Sequence, residues 1–170
     1  RIDDALKRIL ILKFKLGLFE KPYAEPDEAE KVSNCPEHKE IALETARKSI
    51  TLLQNYDHIL PLDPDRLNKI AVIGPNAAVG HIGGYGGWPE YVIDPLTGIK
   101  NFLGDDVKVL YSQGCVTHEL NESGKAVPAT HVINKLKINT AKVAASNADV
   151  ILLFLGENEK LCGEGMDSHS

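Results

Sequence analysis

Three short, largely apolar runs, each followed closely by a glycine, constrain this chain more than anything else in it. They are Ile70 to Ile73 before Gly74, Val107 to Tyr111 ahead of Gly114, and Val150 to Leu155 before Gly156. Near-continuous apolarity over so few residues suits strands buried on both faces, the condition of a parallel sheet. The intervening stretches read as helices. One runs from Leu96 to Leu103, and the other from Ile133 to Ala148, with Ile133, Leu136, Thr140, Val143 and Ala144 at helical spacing. Strand, helix, strand, helix, strand implies right-handed crossovers and a parallel α/β sheet. Doubly wound sheets usually have more than the three strands visible here, so the expected fold is an incomplete parallel-sheet α/β sandwich.

The first part of the chain follows a different pattern. Ile2, Leu6, Ile9, Leu12 and Leu16 recur at helical spacing, with Asp3 and Asp4 in the first turn and Lys13 and Lys15 in the last. Gly17 is placed to end that helix at positive φ, with Leu18 folding back towards Leu12. From Lys21 to Cys35, Pro22, Pro26 and many charges interrupt any periodicity, which predicts a linker and a domain boundary. Asn34 and Glu37 are spaced for a capping box around Pro36. A second helix is expected beyond it, with Leu43, Ala46, Ile50 and Leu53 on one side. Its β-branched end, Ser49 to Leu53, could equally form a short strand, and Pro61 and Pro64 close the unit.

Composition excludes several classes of function. The chain has 170 residues, enough for one domain, or for one plus an attached piece of another. A net charge of -5 with scattered Lys and Arg offers no basic face for nucleic acid. No apolar run approaches the roughly 20 residues of a membrane span. The sequence opens on Arg1 within helix-like sequence, so it reads as a fragment or processed piece. Cys35, Cys115 and Cys162 show no C-x-x-C spacing, and the six histidines include no H-E-x-x-H. No metal and no cofactor are expected.

The chemistry-bearing candidates cluster near strand exits. In open α/β sheets, ligands sit beyond the carboxyl ends of strands. Asp149 precedes the third run, roughly 20 Å from that end at ~3.3 Å per residue, and is set aside. Glu157 lies at the exit itself and reads as structural, bonding to nearby loop amides. Glu164 follows between Gly163 and Gly165, which permit close backbone approach; its plain alternative is a solvated loop glutamate. Asn76, after Gly74 and Pro75, reads as a turn residue. After the first run comes a glycine-rich stretch, Gly80 to Pro89, holding Tyr85 and Trp88. It lacks G-x-G-x-x-G spacing and a following G-K-[ST], which disfavours a phosphate site. A plain surface loop and a carbohydrate-facing loop remain, the latter because Tyr85 and Trp88 offer flat apolar faces with polar edges. Asn121-Glu122-Ser123 matches a glycosylation acceptor pattern.

In order along the chain, these segments resemble glycoside hydrolase family 3, the β-glucosidase-type enzymes. Arg1 to Leu10 and Lys13 to Glu20 are similar to the family's last barrel helix and its exit. Ser49 to Asn55, Leu60-Pro61-Leu62, Ile70 to Asn76, Asp94 to Ile99 and Gly156 to Glu159 continue the match into the next domain. The resemblance implies a (β/α)8-type barrel carrying an aspartate nucleophile, followed by an α/β sandwich that supplies the acid/base. It divides the chain into a barrel helix (1–20), a linker (21–36) and a truncated sandwich (37–170). The family's E-G-x-D loop falls on Glu164, Gly165 and Asp167. This makes Glu164 the acid/base candidate and assigns Asp167 to substrate binding; Ser168 follows where the family commonly has arginine. The aromatic residue beside the leaving-group sugar would be Tyr85 or Trp88.

The implied function is part of a retaining glycosidase that cleaves β-linked glucosides or related glycosides from the non-reducing end. Its partners would be the glycoside and the remainder of the parent enzyme. Non-catalytic sugar-binding and nucleotide-binding α/β domains stand as alternatives. Compartment stays open, a periplasmic or secreted setting being favoured.

Overall fold

The computed structural model describes all residues except Trp88, Glu90, Lys160 and 165–170, with the backbone alone for Pro128 and Ile133. The candidate residues Trp88 and Asp167 therefore lie outside the described residues. The chain forms two units, Arg1–Leu60 and Pro61–Ser170.

In the first unit, α1 spans Ile2–Lys15 and ends as its sequence predicts. Gly17 takes φ +66°, while the Gly17 and Leu18 N–H groups bond the Phe14 and Lys13 carbonyls, each at 3.1 Å. This paired closure consumes carbonyls that a helix end otherwise leaves bare. Within the stretch read as a linker, a short helix α2 forms over Pro26–Val32. Pro26 sits in its first turn, and Lys31 reaches Glu28 at 2.6 Å. Local charge and a proline start suffice there without an apolar period.

Helix α3 covers Pro36–Ser49. The expected Asn34–Glu37 capping box is absent: Cys35 is the N-cap, no side chain caps it, and Asn34 turns to φ +58°. Ile50 is extended, so neither Ile50 nor Leu53 continues the helix, and 51–55 form no strand. No side chain of α1, α2 or α3 is buried within this chain.

The second unit is the expected parallel α/β sheet. Strands β1 (Lys69–Ile73), β2 (Lys108–Ser112) and β5 (Val150–Leu153) lie in the order β2-β1-β5, all parallel. The connections are α4 (Pro95–Leu103) and α5 (His131–Ser146). Side chains alternate faces along β1, and the core divides accordingly. Ala71 and Ile73 pack with Ala141 and the small Ala144, Ala145 and Ala148 of the α5 region. Val72 packs with Ala77, Leu96, Ile99, Val109 and Phe154 on the other face. Asp94 starts α4 by accepting the Thr97 N–H at 2.9 Å and the Thr97 hydroxyl at 2.8 Å. These bonds hold its carboxyl below the usual range.

A hairpin the sequence reading did not contain lies between β2 and α5. Strands β3 (His118–Leu120) and β4 (Ala126–Pro128) pair antiparallel. Asn121 Oδ1 organises the turn by accepting from the Ser123 and Lys125 N–H groups at 3.1 and 2.9 Å. Three-residue strands are too short to show alternation, so only Asn121 and Gly124 carry the signal.

Asp149 belongs to the opposite, amino end of the sheet. Its Oδ2 accepts the Lys69 and Asn68 N–H groups at 2.9 and 2.8 Å, which lowers its pKa. A depressed carboxylate adds stability above its unfolded value, about 4, and loses it as pH falls through the folded value. Asp149→Asn should therefore lower the melting temperature at neutral pH, with the gap to wild type closing in strong acid. Melting curves across that range check it.

Candidate active site

The parallel register places the exits of β1 and β5 side by side, with Ile73 paired to Leu153. Phe154 N–H donates to the Ile73 carbonyl at 2.8 Å, extending the pairing one step past the strands. The backbones are so close here that a Cβ on Gly74 would lie 2.1 Å from the Phe154 oxygen, and Gly74 has φ +138°. Only glycine meets both conditions. Two loops leave this point, one after β1 carrying Asn76, His81 and Tyr85, the other after β5 carrying Glu157, Glu159, Cys162 and Glu164.

The loops meet at Tyr85 and Glu164, 79 residues apart in sequence, where the Tyr85 hydroxyl donates to Glu164 Oε2 at 2.6 Å. The length lies at the short end of the range for O–H···O hydrogen bonds. The bond, and secondarily partial desolvation, pushes the Tyr85 phenol above its ordinary value. Tyr85 stays 89% exposed and is open to a ligand. His81, Tyr85, Glu157, Cys162 and Glu164 line a cleft of about 790 Å³ around this pair. That volume suits a small ligand.

The raised phenol has a direct test. The difference in tyrosinate absorbance between wild type and Tyr85→Phe isolates this ring from the other four of the chain's five tyrosines. Its titration should lie above that of a free tyrosine and fall back when Glu164 is made glutamine. Because the folded value is raised, the stability it adds is complete below about pH 10 and lost as pH rises through the folded value.

Glu157, expected to bond loop amides, instead accepts the Cys162 thiol. That bond, then desolvation and the carboxylate charge, raises the thiol pKa and keeps Cys162 a donor. Asn76 is more than a turn residue. Its amide nitrogen donates to the Gly156 carbonyl at 3.1 Å, and its oxygen meets His81 Nε2 at 2.9 Å. His81 Nδ1 in turn faces Glu159 Oε2 at 3.0 Å. Sequence reasoning missed this chain of bonds, whose one available signal was an asparagine just past a parallel-strand exit. Asn158 also ties the β5 loop to the segment before β3 through Thr117 Oγ1 at 3.0 Å.

Among the described residues the glycine-rich loop does not open into a helix; the next helix there starts at Pro95, capped by Asp94. It thus lacks the helix N-terminus that a phosphate cradle uses. Among the described residues, no three His, Cys, Asp or Glu side chains converge on a metal site.

Comparison with known proteins shows the family of the chain. The profile of the glycosyl hydrolase family 3 C-terminal domain matches residues 50–170. A β-xylosidase of Formosa agariphila is 37% identical over 98% of this chain and 22% of its own length. A periplasmic β-glucosidase of Salmonella typhimurium is 33% identical over 96% of the chain and 23% of its own. The solved structure of a β-glucosidase from Erythrobacter marinus superposes with a TM-score of 0.76 at 38% identity, covering 89% of this chain and 22% of that one. The chain thus spans about a fifth to a quarter of the length of the relatives it matches. On sequence, fold and the order of its elements, this chain belongs to glycoside hydrolase family 3.

Proposed function

We propose that this chain supplies the acid/base loop of a retaining glycosidase that removes β-linked glucosyl or related residues from the non-reducing end of its substrate. The observation that carries this reading is the Tyr85–Glu164 hydrogen bond at the mouth of the parallel sheet. It joins a carboxyl group, which acid catalysis uses, to an exposed aromatic residue that offers a flat face to a sugar ring. Family membership, and relatives named as β-xylosidase and β-glucosidase, support the same class of chemistry.

Retaining glycosidases use two carboxyl groups about 5 to 5.5 Å apart around an oxocarbenium-like transition state. Glu164 takes the acid/base part. It protonates the departing glycosidic oxygen in the first half-reaction and takes a proton from the attacking water in the second. Tyr85, bonded to Oε2, leaves the other carboxyl oxygen for the glycosidic oxygen, and its ring stacks on the leaving-group sugar. Trp88, and Asp167 in substrate binding, belong to the same proposed subsite. The nucleophile is an aspartate of a barrel domain in the rest of the protein, to which residues 1–20 contribute a helix and 21–36 the connection.

Assays of the full-length protein and of this chain alone, with an aryl β-glycoside, test the division of labour. The full-length protein should turn over and the 170-residue chain should not. Turnover by the chain alone would overthrow the reading, and so would equal losses in Glu164→Gln on activated and alkyl substrates.

A further inference from the structure

We infer that His81 is a positioning residue, a strap that holds the Tyr85 loop against the Glu164 loop; this rests on the reading of Glu164 as acid/base. The Asn76 amide nitrogen faces a carbonyl, Gly156 O, which can only accept. The Asn76 oxygen therefore faces His81, and His81 Nε2 must carry the proton in their 2.9 Å bond. Nδ1 faces a carboxylate oxygen of Glu159 at 3.0 Å. Both ring nitrogens thus face groups that belong to, or are tied to, the β5 exit, while the ring is carried by the β1 loop.

Position gives these bonds their consequence. His81 lies four residues before Tyr85, and Glu159 five before Glu164. Beyond the β-ladder, bonds joining the two loops include the Asn76–Gly156 and Asn76 N–H to Phe154 bonds at the strand exits, the His81–Glu159 pair, and the Tyr85–Glu164 bond itself. Tyr85 and Glu164 are both exposed. His81 is better shielded, its side chain 30% exposed against 36% for Glu159. A sub-ångström shift in an acid catalyst can cost heavily in rate, so the residue that sets the loop spacing governs proton delivery without touching the substrate.

The test uses the full-length protein with His81→Ala, His81→Gln, Glu159→Gln and Glu164→Gln. Two readouts are taken, hydrogen exchange in 76–87 and 156–164, and kcat and KM for alkyl and activated aryl glycosides. His81→Ala should raise exchange in both loops about fivefold, leaving β1 protected. Its kcat should fall about tenfold further on alkyl than on activated substrates, with KM little changed, and His81→Gln should recover part of it. Losses in equal proportion on both substrate classes, or unchanged exchange in the two loops, overturn the strap. If His81→Ala fails to fold, Glu159→Gln is read by the same criteria. Equal losses on both substrates in Glu164→Gln would instead remove the acid/base reading, and the strap would then be judged on loop exchange alone.

Discussion

Glu164→Gln in the full-length protein should lower kcat/KM for alkyl β-glycosides by about 10² to 10⁴, the range of a lost general acid. At ~1.36 kcal/mol per tenfold, this is roughly 3 to 5 kcal/mol of transition-state stabilisation. Glutamine keeps the size of glutamate and can still accept from Tyr85, so the Tyr85 loop should stay in place. What it loses is the exchangeable proton. An alkyl alkoxide cannot leave unprotonated, whereas a dinitrophenolate can, so glycosylation from activated substrates should fall by no more than about tenfold. The second half-reaction still needs a base to deprotonate water, so the covalent intermediate should accumulate and appear as a burst. Added azide, an anionic nucleophile that needs no base, should restore turnover on activated substrates and yield a β-glycosyl azide. Absence of both the selectivity and the rescue would show that Glu164 has another role.

Gly74→Ala should cost roughly 3 kcal/mol or more, by combining backbone strain with a steric clash. The new methyl would start 2.1 Å from the Phe154 carbonyl oxygen and 2.7 Å from its carbonyl carbon. Both are backbone atoms, which no rotamer change can move aside. φ of +138° adds strain for any residue with a Cβ. Relief requires β1 and β5 to separate at their carboxyl ends, where the Asn76 N–H to Phe154 bond is already long at 3.4 Å. The expected readouts are a large drop in melting temperature and greater exchange at 154–164. Gly83→Ala is the control, since no atom of the described residues lies within 4 Å of the added Cβ, although its φ of +75° carries a smaller strain. Equal effects at the two positions would show that close strand approach is not what Gly74 serves.

Much of the architecture follows from local patterns. The apolar runs, the helical spacing between them and Gly17 at a helix end each involve residues within a turn or two of one another. All three became elements within one or two residues of their expected ends. Where the signal was weak, structure differed. The 26–32 helix rests on a proline start and local charge, and the β3–β4 hairpin has strands too short for a period. The capping box failed because Pro36 follows Cys35, which takes the cap position itself.

What the amino-acid order determined by itself is the kind of fold and the residue types available at the strand exits, since periodicity and backbone preference act over a few residues. Only the tertiary structure decided which of those residues meet. The register of β1 against β5 brings Tyr85 to Glu164 across 79 positions and threads Asn76, His81 and Glu159 into one set of bonds. Hydrogen bonds between distant loops depend on separations of tenths of an ångström, which emerge only when the sheet and its two packed faces hold both loop bases in place.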